Sequence, residues 1–287
     1  MHDGLRRTAE DSGGTAMGEL PAWQRFVTAP APGQHVARLY TDADLFARAV
    51  AAFLGEGLRA GDAVLIIATP PHGEKIARCL GDQGLDLDAL RRRGQLSVLD
   101  AAASLARLLV DGRPDPARFR AVIGAVVDGA RTAGFRRVRA FGEMVDLLRR
   151  TDLDATIRLE ALWNDLLTTR GIALLCGYSV DALDPRVYRG LLQGVCTAHS
   201  DLIPVDDPAR FQEAVERAYA DVFGPAGDGD GLRRAFLAEY ARPATMPDAE
   251  AAILAAQEFV PSVGDAILER AGRYYRAPSA AVPASDR

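Results

Sequence analysis

The stretch RRVRAFGEMVDLLRR (136–150) reads as a short strand, a glycine, and then Glu143 and Met144 opening a helix. A carboxylate at the end of a buried strand is partly desolvated, and it then accepts a hydrogen bond from a ligand or acts as a base. The same residue also reads as a first-turn glutamate favoured by the helix dipole. The residues alone leave the ligand-contacting and capping readings evenly open. Gly142 beside it implies close packing or an unusual backbone angle.

Other polar residues fall into smaller sets. Glu160 and Asn164, in RLEALWNDLL, are four apart and share a helix face beside the apolar face of Leu159, Leu162, Trp163 and Leu166. Such a pair either lines a pocket or forms a solvated stripe. Cys196 and His199 form C-x-x-H, with Cys176 on a late apolar run. That set lacks a clear fourth ligand and a paired motif, so no metal site is expected. His35 and His72 each stand alone, as structural histidines commonly do. After DAVLIIAT come Thr69 and then PPHGEKI. A phosphate loop needs G-x-x-x-x-G-K-[ST], but here the first glycine is missing and Ile76 stands where a hydroxyl should hold magnesium. Neither G-x-S-x-G nor H-E-x-x-H occurs. The expectation is no catalytic residue, no cofactor and no enzymatic activity. A degenerate nucleotide-binding enzyme with Glu143 as base is the enzymatic alternative.

These residues need a scaffold, and the hydrophobic pattern supplies one. HVARLY, DAVLIIAT, QLSVLD, RRVRAF and IALLCGY read as strands. DADLFARAVAAFLGEGLRAG, GEKIARCLGDQG, DPARFRAVIGAVVDGARTAG and DLDATIRLEALWNDLLTTRG read as helices between them, Asp115 serving as an N-cap. Strands joined by helical crossovers predict an α/β fold with a mainly parallel sheet flanked by helices. Ligands in such sheets bind beyond the carboxyl ends of the strands. That edge holds Thr69 and His72 in one loop and Glu143 and Met144 in another. After Pro204 the pattern is helical, GPAGDGDG (224–231) being a flexible loop. The expected organisation is a disordered segment over 1–32, an α/β domain over 33–204, a helical extension over 205–276 and a disordered tail over 277–287. The arginines at 91–93, 136, 137 and 139 read as solvated charges near element ends.

Bulk properties exclude several classes. The chain has 287 residues, 48% hydrophobic, with a formal net charge of −5. An acidic balance, with a pI near 5.5, gives no basic footprint for nucleic acid. Three cysteines at irregular spacing do not describe a disulfide scaffold. No apolar run approaches the roughly 20 residues that span a bilayer. A cytoplasmic protein with no membrane partner is expected.

Taken in order, HVARLYTDADLF, GLRAGDAVLIIATPPH, RRGQLSVLDAAASLARLLVDGRPD, RRVRAFGEMVDLL, RLEALWNDLL and LLCGYSVDAL…VCTAHSDLIP resemble the MEDS domain, the sensory domain named for methanogens, methylotrophs and the regulator DcmR. The resemblance covers about residues 33–204. It implies a RecA/KaiC-like fold without an intact phosphate loop, in a bacterial or archaeal signalling protein that binds small molecules, hydrocarbon derivatives among them. It also implies that His35, Glu143, Glu160, Asn164 and His199, which match the family's motif positions, share a pocket. Family members are often joined to a histidine kinase or a DNA-binding domain. Neither a kinase core nor a helix-turn-helix is recognisable here. The expected partners are therefore a small molecule at the carboxyl edge, a separate signalling protein or a second copy of the chain. The alternative is an adaptor module without a ligand, whose sign would be an exposed apolar face on AAILAAQEFV (251–260).

Overall fold

The computed structural model describes residues 22–225 and 227–278. Most of both segments expected to be disordered lies outside the described residues. Ala22–Thr28, assigned to the first of them, instead forms a helix, α1. Its Phe26 stacks on Phe53 at 4.4 Å and is buried, so apolar contact orders this turn.

From there strands and helices alternate. β1 (His35–Tyr40), α2 (Ala43–Arg59), β2 (Ala63–Ala68), α3 (Pro70–Asp82), α4 (Leu87–Arg92), β3 (Leu96–Asp100) and α5 (Ala101–Leu108) lead to a small hairpin, β4 (Leu109–Val110) and β5 (Arg113–Pro114). The stretch expected as one helix over 115–134 is α6 (Pro116–Phe119), a π-helical turn (Arg120–Gly124) and α7 (Ala125–Thr132). β6 (Val138–Gly142), α8 (Met144–Arg149), α9 (Leu153–Arg170) and β7 (Ala173–Ser179) follow. A second π-helical turn (Val187–Leu191) runs into α10 (Leu192–Ala198), and a short strand, β8 (Asp201–Ile203), closes the α/β part. The rest is helical: α11 (Pro208–Phe223), α12 (Gly229–Glu239), α13 (Asp248–Phe259) and α14 (Pro261–Arg276).

The strands form one six-stranded sheet in the order β3-β2-β6-β7-β1-β8, and every neighbouring pair is parallel. Helices cover both faces, so the α/β architecture expected from the alternation is present and is consistent with a RecA-like sheet. Alternation along each strand divides the core. Ala37, Leu39, Leu65, Leu174 and Cys176 face α9 and Trp163. Val36, Val64, Ile66 and Leu175 face α2 and Phe53. From β2 the chain goes to β3 on one side, and from β6 it goes to β7 on the other. The crevice between the carboxyl ends of β2 and β6 is therefore a topological switch point.

Geometry requires glycine at two positions that shape the sheet and α9, among others. Gly171 ends α9 in the left-handed region at φ 58°, as a C′ residue commonly does. On Gly177 a Cβ would come within 2.6 Å of the Phe46 ring, so only glycine lets β7 pass under the Phe46–Phe141 pair. Gly142, by contrast, would meet only ordinary contacts at 3.9 Å.

Four local readings change. PPHG is not a loop: α3 starts at Pro70, because a fixed φ and a missing N–H suit the first helical turn. Lys75 on that helix pairs with Asp44 at 2.6 Å. Arg139 is not solvated but fully buried. It donates to Asp62 Oδ2 at 2.8 Å and to the Phe53 carbonyl at 3.0 Å, which compensates its charge. The glycine-rich stretch turns helical at Gly229, where the Asp228 carboxylate accepts the Gly231 N–H at 2.7 Å. Ala251–Ala256 on α13 are buried, with α11, α12 and α14 packed around the helix. The apolar face expected of an adaptor is therefore mostly covered, and only Phe259 and Val260 remain exposed.

Candidate functional site

All the expected site residues but Met144 fall into two clusters. The first lies at the switch point. The register of β2 and β6 sets Ile67 beside Gly142, and the Glu143 N–H continues the ladder to the Ile67 carbonyl at 3.2 Å. This fixes the backbone of Glu143 so that its side chain reaches across to the start of α3. Its carboxylate accepts the Thr69 N–H and, at 2.5 Å, the His72 Nδ1–H. Thr69 contributes its backbone here, since its side chain makes no cap bond. The Tyr40 hydroxyl lies 3.5 Å from the same His72 nitrogen. The hydrogen bond to Glu143, opposed by burial, holds the His72 pKa above its usual 6.5. Met144 is not part of this cluster; it is buried in the core against α5 and α9. Glu143 therefore resolves as a carboxylate whose oxygens are both taken by the chain's own donors.

The second cluster sits on the face of the sheet under α9 and α10. It joins His35, Glu160, Asn164 and His199, four of the five residues that the resemblance put in one pocket, with Cys176 and Tyr178 from β7; the fifth, Glu143, belongs to the first cluster. All but Asn164 are buried. The His35 and His199 rings lie 4.0 Å apart. Asn164 orders one of them. Its Nδ2 donates to the Ala198 carbonyl at 2.9 Å, so its Oδ1 faces His35 Nδ1 at 2.8 Å and accepts that proton. His35 Nε2 is then a lone pair, and the Cys176 thiol, 3.2 Å away, donates to it. His199 Nδ1–H donates to the Val195 carbonyl at 2.7 Å, which leaves its Nε2 as a second lone pair. The Tyr178 hydroxyl donates to Glu160 Oε1.

Burial disfavours charge in this cluster. It lowers the pKa of His35, with help from His199, and that of His199, each to about 4. It pushes the Glu160 carboxyl and the Cys176 thiol upward, Glu160 adding to the shift on Cys176. Glu160 Oε2 and His199 Nε2 have no hydrogen-bond partner among the described residues.

The Cys196 thiol of the C-x-x-H pair goes to the core. His199 is the C-cap of α10 with extended backbone, φ −116° and ψ 154°, so the two side chains do not share a helix face. Cys176 takes the place instead. Tyr178 went unread in the sequence. The signal was strand alternation, which puts Leu174, Cys176 and Tyr178 on one face.

Glu160, Asn164 and Tyr178 also reach the floor of an open cleft of about 500 Å³ between α9 and α10. That size falls within the roughly 300–1,000 Å³ of small-molecule sites. Leu153 and Ile157 stand at its mouth, 54% and 58% exposed, and Leu191, Gly194 and Ala198 form the opposite wall. No described helix is long and apolar enough to cross a membrane.

No curated protein matches the chain. The family model of MEDS, the methanogen/methylotroph, DcmR sensory domain, matches residues 34–194, which hold the whole of β1 to β7, both π-helical turns and five of the six residues of the second cluster. That span is more than half of the sequence, and the chain belongs to the MEDS sensory-domain family.

Proposed function

We propose that this protein is a non-catalytic sensor of signal transduction that takes a small, largely apolar molecule into the cleft between α9 and α10. The cleft carries this reading. Its mouth and walls are mostly apolar, with Thr156, Gln193 and Thr197 among them, and its floor offers a few polar groups, a combination that suits a hydrocarbon-derived molecule with one polar head. The expected position at the carboxyl edge is given up, because Glu143 already spends its oxygens on Thr69 and His72.

The route outward runs through α10. The Cys196 carbonyl on that helix accepts the Thr245 hydroxyl at 2.9 Å, so a shift of α10 is felt in the segment leading to α13. A π-helical turn directly precedes α10, a feature frequent at functional sites. A ligand needs only to prefer one position of α10 over another.

Native mass spectrometry of the purified chain tests the reading, with Gly194→Leu as the blocked variant. A Cβ at Gly194 meets nothing within 4 Å, so leucine fills the cleft without displacing the helix. The expected result is an excess mass in the parent protein, lost on denaturation and absent from Gly194→Leu. Equal extra mass in both would place the molecule elsewhere. A bare mass, together with melting unchanged by short alcohols and hydrocarbons, would remove the proposal.

A further inference from the structure

We infer that His35, Glu160, Cys176 and His199 form a binding site for a divalent transition-metal ion of the zinc class. This goes beyond the sensory reading and does not depend on it.

The first argument is geometric. One donor atom from each of these four residues lies within 4.8 Å of every other. His35 Nε2 is 3.2 Å from Cys176 Sγ and 3.6 Å from Glu160 Oε2, and His199 Nε2 is 3.5 Å from Glu160 Oε1. A tetrahedral centre with bonds of 2.0–2.3 Å has donor–donor edges of about 3.3–3.6 Å. These three separations lie close to such edges, two of them through different oxygens of Glu160, and the wider pairs, up to 4.8 Å apart, have to draw inward on an ion.

The second argument is the direction of the lone pairs. Each imidazole gives its Nδ1 proton to an oxygen, of Asn164 for His35 and of Val195 for His199, and turns Nε2 inward. An outer hydrogen bond on the far nitrogen is how metal-ligating histidines are held. Glu160 Oε2 and His199 Nε2 both point into the cluster without a donor, and both residues are 4% exposed. Two buried acceptors facing each other are costly unless a proton or a metal cation stands between them.

The third argument is charge. A dication with one thiolate, one carboxylate and two neutral imidazoles sums to zero, so burial carries no net-charge penalty. On binding, the Cys176 thiol proton and any proton on Glu160 leave to solvent, and the ion keeps its oxidation state. A thiolate with two imidazoles selects zinc-like ions over magnesium or calcium, which take oxygen donors.

The test uses the full chain, stripped with a chelator and titrated with Co²⁺. The expected result is a thiolate-to-cobalt charge-transfer band that saturates at one ion per chain and is displaced by Zn²⁺. It should vanish in Cys176→Ser and persist in Cys79→Ser, whose thiol lies outside the cluster. No band in the parent protein, or an unchanged band in Cys176→Ser, overturns the proposal. Should Cys176→Ser fail to fold, the melting temperature of the stripped parent decides. It should rise with Zn²⁺ and not with Mg²⁺, and equal melts with both ions overturn the site.

Discussion

Glu143 and Glu160 are both buried carboxylates beside the same parallel sheet, yet they meet opposite surroundings. Glu143 faces a backbone N–H and an imidazole N–H. Glu160 accepts one hydroxyl and otherwise faces the lone pairs of two histidines. A carboxylate surrounded by donors is finished as structure, because its charge is already solvated by the chain. A carboxylate among acceptors lacks a positive charge, which a proton or a metal ion can supply. Glu250 on α13 is a third case: it is buried, and its Oε1 has no hydrogen-bond partner.

The contrast breaks or sharpens under substitution. The largest effect belongs to Glu250. Burial pushes its pKa from 4.5 to about 8, so the unfolded chain ionises first as pH rises and stability falls between those two values. Glu250→Gln should remove this fall and add on the order of 3–5 kcal/mol at pH 8, but little at pH 4. Urea denaturation at the two pH values reads it, and equal gains at both would mean that the carboxyl is not held neutral. Next is Glu143→Ala, which strips the acceptor from two half-buried donors and should cost roughly 2–3 kcal/mol. If it costs nothing, the view of Glu143 as a structural carboxylate fails. Glu160→Gln should reverse that sign in chelator-treated protein, being neutral or stabilising by about 1 kcal/mol, since it removes an acceptor facing acceptors. Losses of similar size at Glu143 and Glu160 would erase the comparison. The smallest effect is at His72, whose pKa is raised mainly by its bond to Glu143. Its contribution is complete below about pH 6.5 and is lost as pH rises through the folded value. A His72→Gln variant should flatten that shallow decline, measured as melting temperature against pH.

Much of the scaffold was legible in the residues. Unbroken apolar runs such as AVLIIA mark strands buried on both faces, and the helical spacing between them forces parallel crossovers. The pairing of His35, Glu160, Asn164 and His199 was not legible from spacing. It joins residues as far apart in sequence as His35 and His199 and came only from family resemblance. Which carboxylate is satisfied was also out of reach, because it depends on where Thr69 and His72 turn after β2. β8 is three residues long, too short to show alternation. Arg139 looked solvated because local charge density cannot reveal that Asp62, just before the neighbouring strand β2, accepts its Nε–H.

The apolar core described above does not stop where the family match stops. Residue 194 falls inside α10, and one continuous cluster runs from Trp163 and Leu174 through Val195 and Leu202 to Phe211, Ile253 and Ile267. The helices after β8 are therefore welded to the α/β part, not tethered to it. A graft of this sensor onto another output has to carry the chain through α14, because a cut at the family boundary would open an apolar wound where those helices now pack.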